Sequence, residues 1–162
     1  MGELFNEVKE LESVKRACLE SYRLENVYRD GNYTLEETLN DTRYAALQLC
    51  VNGTKGGVPD AKIVEPMRDG IKRLGSHLVR DRFGPNLEVK VAAAKVHLLA
   101  SCLAGDTDLK VEQLSFDLAE QLEFIRSAKI ADPQCLNRLR KTAPEAFYYL
   151  TLALGSEKRV SQ

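Results

Sequence analysis

The chain has 162 residues, with no tryptophan, only two histidines and two methionines, and five prolines. It contains no run approaching the roughly 18 apolar residues that span a bilayer. The histidine shortage bears on metals: His77 and His97 fall in different predicted helices with no cysteine or carboxylate at ligand spacing, so a zinc site is not expected. Cys18, Cys50, Cys102 and Cys135 form no CxxC pair. Each lies in an apolar helical pattern, where a thiol packs as a small hydrophobe, so all four read as reduced core residues. Charge imbalance is absent too: 23 lysines and arginines face 24 acids, a formal net charge of -1. With 44% hydrophobic residues this excludes a disordered chain and suits one compact domain. The opening MGELFNEVKELE is acidic rather than basic and then apolar, so no secretory signal is expected. The expectation is therefore a cytoplasmic protein with no membrane partner, in which the sequons at Asn32, Asn40 and Asn52 are coincidental.

What the sequence does hold is helical periodicity, without sustained strand alternation. The fold class predicted is all-α, a single compact bundle of six to seven helices. We read residues 1–58 as an acidic helical hairpin, 59–156 as the helical core and 157–162 as a frayed tail. The first helix carries Leu4, Val8, Leu11, Cys18, Leu19 and Tyr22 on one stripe. Thr34 and Glu37 form a capping box for the second helix, which runs to the loop NGTKGGVP. A third helix includes EPMRDGIKRLGSHLVRDRF, with Pro66 near its start and Gly84-Pro85 as its stop. The fourth, about Leu87 to Ala104 between Asn86 and Gly105, is apolar over most of its circumference apart from narrow strips at Glu88/Lys95 and Lys90/His97/Ser101, which marks a central helix. A fifth, about residues 108 to 130, is amphipathic through Val111, Leu114, Leu118, Leu122 and Ile125, and Leu98 and Leu118 are read as core leucines. Asp132-Pro133 starts a short sixth. Thr142 and Pro144 start a seventh, PEAFYYLTLAL, so apolar that it is either buried or a surface for self-association.

Two constellations bear on chemistry. NGTKGG lacks the GxxxxGK[ST] spacing of a phosphate-binding loop and reads as a flexible connector. Basic residues are more telling. On the third helix Ile63, Met67, Ile71, Leu74 and Leu78 fall on the core side, while Arg73, His77 and Arg80 form a separate strip flanked by Arg68 and Lys72. Asp69 and Asp81 stand at i, i+4 spacing to pair with Arg73 and His77. Arg138, Arg140 and Lys141 make a second cluster on the sixth helix, preceded by Arg126 and Lys129. If the fold brings basic clusters together, the near-zero net charge conceals a local positive field.

The acidic residues offer an alternative. Glu7 and Glu10, one turn apart, and Glu37 and Asp41 on the next helix supply enough oxygens for Mg²⁺. TLEETLNDTRYAAL is similar to the second acidic helix of the all-α nucleoside triphosphate pyrophosphohydrolases. That family carries ExxD, whereas here Glu37 is followed three residues later by Asn40, and Asp41 falls one position late.

From Tyr44 onward, YAALQLCVNGTKGG, IVEPMRDGIKRL, NLEVKVAAAKVHLL and LNRLRKTAPEAFYYLTLAL resemble the successive helices of the small all-α subunit of type III CRISPR effector complexes. The resemblance implies a non-enzymatic subunit, without cofactors, that stacks beside other protein subunits along a guide RNA–target RNA duplex and touches phosphates through basic side chains. Arg68 matches that family's characteristic arginine, and Lys72 and Arg73 follow within a turn. Pro66 departs from the pattern, and the stretch before Tyr44 has no counterpart. Phosphate contact positions a protein on RNA without reading sequence, which suits basic strips lacking a stacking motif. The sequence thus leads to a non-catalytic RNA-backbone-binding or assembly subunit, with the Mg²⁺-dependent hydrolase and a helical protein–protein adaptor as alternatives.

Overall fold

Thr34 opens its helix as the sequence requires. Its hydroxyl accepts the Glu37 N–H at 3.1 Å while the Glu37 carboxylate accepts the Thr34 N–H at 2.7 Å, a reciprocal capping box. The computed structural model describes residues 10–28, 31, 33–77, 87–107 and 109–155. Among these lie seven α-helices and no strand: α1 (Leu11–Tyr28), α2 (Leu35–Val51), α3 (Ala61–His77), α4 (Leu87–Ala104), α5 (Leu118–Ser127), α6 (Leu139–Thr142) and α7 (Pro144–Leu154). Short 3₁₀ turns at Val111–Leu114 and Gln134–Arg138 complete them. The fold is all-α, as predicted.

Helix α4 is the centre, packed against α2 on one side and α7 on another. Its alanines and small apolar residues let both neighbours approach: Ala93, Ala94, Leu98, Ala100 and Cys102 are all buried. Part of the polar strips that break its apolar surface is sealed by partners from the neighbouring helices. His97 Nδ1 meets the Arg43 carbonyl of α2 at 2.9 Å, and Lys95 Nζ pairs with Glu145 of α7 at 3.0 Å while lying 5.3 Å from the Tyr149 ring centre. Lys95, His97 and Ser101 are buried, as polar groups can be once their hydrogen bonds are met.

The apolar surface of α7 is enclosed by the chain itself. Phe147, Tyr149 and Leu150 have no exposed surface, and the Tyr149 hydroxyl donates to the Leu114 carbonyl at 2.8 Å. Phe116 and Phe124 pack on Tyr148 with ring centres 5.5 and 5.7 Å away. The suggestion that α7 serves self-association is therefore corrected: its apolar face is core.

Three further expectations are corrected. The fifth helix is broken, because Asp117 Oδ1 accepts the Ala119 and Glu120 N–H groups at 2.7 and 3.2 Å and starts α5 afresh. The break turns Phe116 inward and leaves Leu118 48% exposed, so Leu118 is not a core residue. Helix α3 begins at Ala61, five residues before Pro66, and the carboxylate of Asp60 just ahead of it accepts the Lys62 N–H at 2.9 Å. Pro66 thus lies inside α3, where it removes one backbone donor. On α3 Val64 is buried, Ile63 and Ile71 are half-buried and Met67 is exposed, so the core side is narrower than periodicity suggests. Helix α1 buries none of its residues. Leu11 packs against the core cluster, and Tyr22 and Asn26 donate to the Tyr33 carbonyl. Leu4, Val8, Leu78, Gly84-Pro85, Asn86 and the tail lie outside the described residues. Cys50 and Cys102 are buried, Cys18 and Cys135 half-buried, and all four are free thiols, as the sequence implies.

Candidate anion-binding cleft

The loop after α2 reads in sequence as a connector, but it is a wound turn. Gly53 and Gly56 adopt φ values of 67° and 81°, the left-handed region that glycine occupies without strain. A Cβ at Gly57 would stand 2.6 Å from the Val51 carbonyl oxygen, so only glycine permits the chain to return this close. The turn buries Thr54, whose hydroxyl donates to the Cys50 carbonyl at 2.8 Å. Thr54 Oγ1 in turn accepts from Lys90 Nζ, and Lys90 donates also to the Cys50 carbonyl at 3.1 Å.

On the facing side, Leu136 and Leu139 are fully buried and anchor the segment that carries Arg138, Arg140 and Lys141. Asn137 fixes its approach, accepting the Ile130 N–H at 3.0 Å and donating to the Ile130 carbonyl at 2.7 Å. With the leucines turned inward, Arg138 and Lys141 are left exposed. Arg140 is half-buried: it donates to the Ala128 carbonyl and its guanidinium lies 5.1 Å from the Phe147 ring centre.

Between these two walls lies an open cleft of about 710 Å³. Lys55, Lys90, Arg138, Arg140 and Lys141 line it, and among the described residues no aspartate, glutamate, histidine or cysteine does. None of the five has a carboxylate partner among the described residues. The chain is nearly neutral overall, so this is a local concentration of one sign, which focuses field in a low-dielectric recess. The ionisation of Lys90 is shifted. Half-buried and held by two neutral oxygens, its ammonium is pushed below the usual lysine range, first by desolvation.

The structure separates the sequence candidates. Arg138, Arg140 and Lys141 converge on the cleft. Arg68, Lys72 and Arg73 lie exposed on α3 and line no part of it. Arg80 lies outside the described residues. Arg126 is paired with Glu123 at 3.2 Å. Sequence reasoning missed Lys55 and Lys90; the available signals were the lysine inside NGTKGG and the Lys90/His97/Ser101 strip.

The acidic candidates do not assemble. Glu37 is engaged in its own capping box, and hydrogen bonds from the Thr34 backbone and hydroxyl hold its carboxyl below the usual range. Glu10 accepts from the Ser13 hydroxyl at 2.6 Å. Asp41 is exposed, and Glu7 lies outside the described residues. Among the described residues no group of three or more histidines, cysteines or acids is placed to hold a metal ion. No helix of the described residues is long and apolar enough to cross a membrane. No protein-family model, no curated protein and no solved structure matches this chain.

Proposed function

We propose that the protein is a non-catalytic binding subunit that grips the phosphate backbone of RNA, and that the cleft between the α2–α3 loop and α6 is its principal contact. The observation that supports this reading is the meeting of five cations from three separate segments around one cleft without a carboxylate among its lining residues. Lysine and arginine at such a surface favour phosphate strongly, arginine through paired N–H donors. Among the described residues the lining offers no carboxylate, imidazole or thiol of the kind that acid–base or nucleophilic catalysis uses.

The resemblance to the small subunit of type III CRISPR effector complexes supplies a setting in which such a subunit sits beside others along an RNA duplex. In that setting Arg68, Lys72 and Arg73 on α3 form a second, weaker phosphate contact. Fluorescence anisotropy with labelled RNAs of unrelated sequence tests the reading. Dissociation constants of about 1–100 µM at physiological salt are expected, similar for every sequence. R138E/K141E should abolish binding. Absence of binding at low ionic strength, where the electrostatic contribution is largest, contradicts the proposal.

A further inference from the structure

Resting on that reading, we infer that the strand gripped at the cleft ends there, with a terminal phosphate, a phosphomonoester, seated among the cations. Three features of the cleft point this way.

Its charge is concentrated rather than strung out. Lys55, Arg138 and Lys141 are exposed, and Lys90 and Arg140 are half-buried. A backbone presents one negative charge per phosphodiester, with successive phosphates displaced along the strand. A phosphomonoester gathers about −1.5 to −2 on three oxygens at one point. Five cations lining one cleft match the second distribution.

Lys90 is set back. Its Nζ carries three donors, of which two meet the Cys50 carbonyl and the Thr54 hydroxyl. One donor and the whole charge remain uncompensated in a half-buried position. A phosphomonoester at a chain end offers three terminal oxygens to that donor and its charge, where a diester offers two and less charge.

The third feature is an apolar shelf beside the cations. Leu87, 51% exposed at the start of α4, lines the same cleft. It offers a surface for the terminal nucleoside while the phosphate engages the lysines and arginines.

The test compares one RNA sequence made with a 5′-phosphate, a 3′-phosphate, or hydroxyls at both ends, using wild type, K90M and R138Q/K141Q. Free adenosine monophosphate and inorganic phosphate serve as competitors. A phosphorylated end should bind at least about tenfold more tightly than the hydroxyl-ended strand. The advantage should vanish in both variants. It should also grow from pH 5 to pH 7 as the monoester takes its second negative charge near pH 6, since no carboxylate or histidine lines the cleft among the described residues. Equal binding of all three RNAs, weakened equally by R138Q/K141Q, overturns the terminal seat and leaves backbone binding standing. Binding of adenosine monophosphate, read directly by calorimetry, together with no binding of any RNA overturns backbone binding and assigns the seat to a free nucleotide. An end preference that survives in both variants overturns the placement in this cleft.

Discussion

Lys90 Nζ donates to the Cys50 carbonyl at 3.1 Å, pinning the first turn of α4 to the last turn of α2. The same ammonium reaches Thr54 in the glycine-rich loop, so one cation ties together the helices and the turn that form one wall of the cleft. Desolvation is the cost, and an arriving anion would offset it.

Replacing Lys90 by methionine removes a half-buried charge without leaving an orphaned acceptor, because the Cys50 carbonyl keeps its bond from the Thr54 hydroxyl. Chemical denaturation at neutral pH should place K90M within about 1 kcal/mol of wild type, as apolar replacement of a buried charge often does. Anion binding, by contrast, should fall. Since the folded-state pKa of Lys90 is lowered, the unfolded chain holds the proton to higher pH. Wild-type stability should gain a contribution as pH rises toward 10.5, and K90M should lack it. Matching pH profiles for the two proteins would show that the ammonium carries no strain.

Leu98 and Leu118 separate core from surface. Leu98 is fully buried on the central helix and Leu118 is 48% exposed after the break at Asp117. L98A should cost about 2–5 kcal/mol, measured by urea unfolding, and L118A no more than about 0.5 kcal/mol. Similar losses at both would mean that residues 111–127 form one continuous amphipathic helix.

His97 sets an acid limit. With Nδ1 donating to the Arg43 carbonyl, burial favours the neutral ring. Its pKa is lowered, chiefly by burial, with the backbone hydrogen bond to Arg43 opposing and the Arg43 charge reinforcing the shift. The unfolded state therefore binds the proton first, and stability should decline as pH falls below about 6.5 toward the lowered value. H97Q, which cannot titrate, should lose that component of the slope in thermal melts across pH 7 to 5. An unchanged slope would assign the acid limit elsewhere.

Much of the fold is legible in the sequence because its signals are local. The capping box at Thr34, the run from Leu87 to Ala104, the stop at Gly105 and the apolar PEAFYYLTLAL each act within a few residues. The break at Asp117 is local too: Asp117 and Glu120 stand at capping spacing, but the apolar period of Leu114, Leu118 and Leu122 outweighs them when read alone. Helix α3 misleads because Pro66 marks a start more loudly than Asp60 does, and the carboxylate of Asp60 shows its role only through its bonds to Lys62 and to Tyr44 at 3.2 Å. The site is half legible. Arg138, Arg140 and Lys141 declare themselves by adjacency, whereas Lys55 and Lys90 join them only because the left-handed glycines fold the loop back over the start of α4. Sequence spacing carries no trace of that meeting.

The most direct test of the account is the salt dependence of RNA affinity in two matched triple variants. K55Q/R138Q/K141Q empties the cleft edges, and R68Q/K72Q/R73Q empties the α3 strip. The slope of log affinity against log salt should become shallower by about two to three units in the first, close to one unit for each phosphate no longer neutralised. In the second it should change by no more than about one unit. A slope that flattens in the α3 variant and holds in the cleft variant would contradict the assignment of the cleft as the principal phosphate contact.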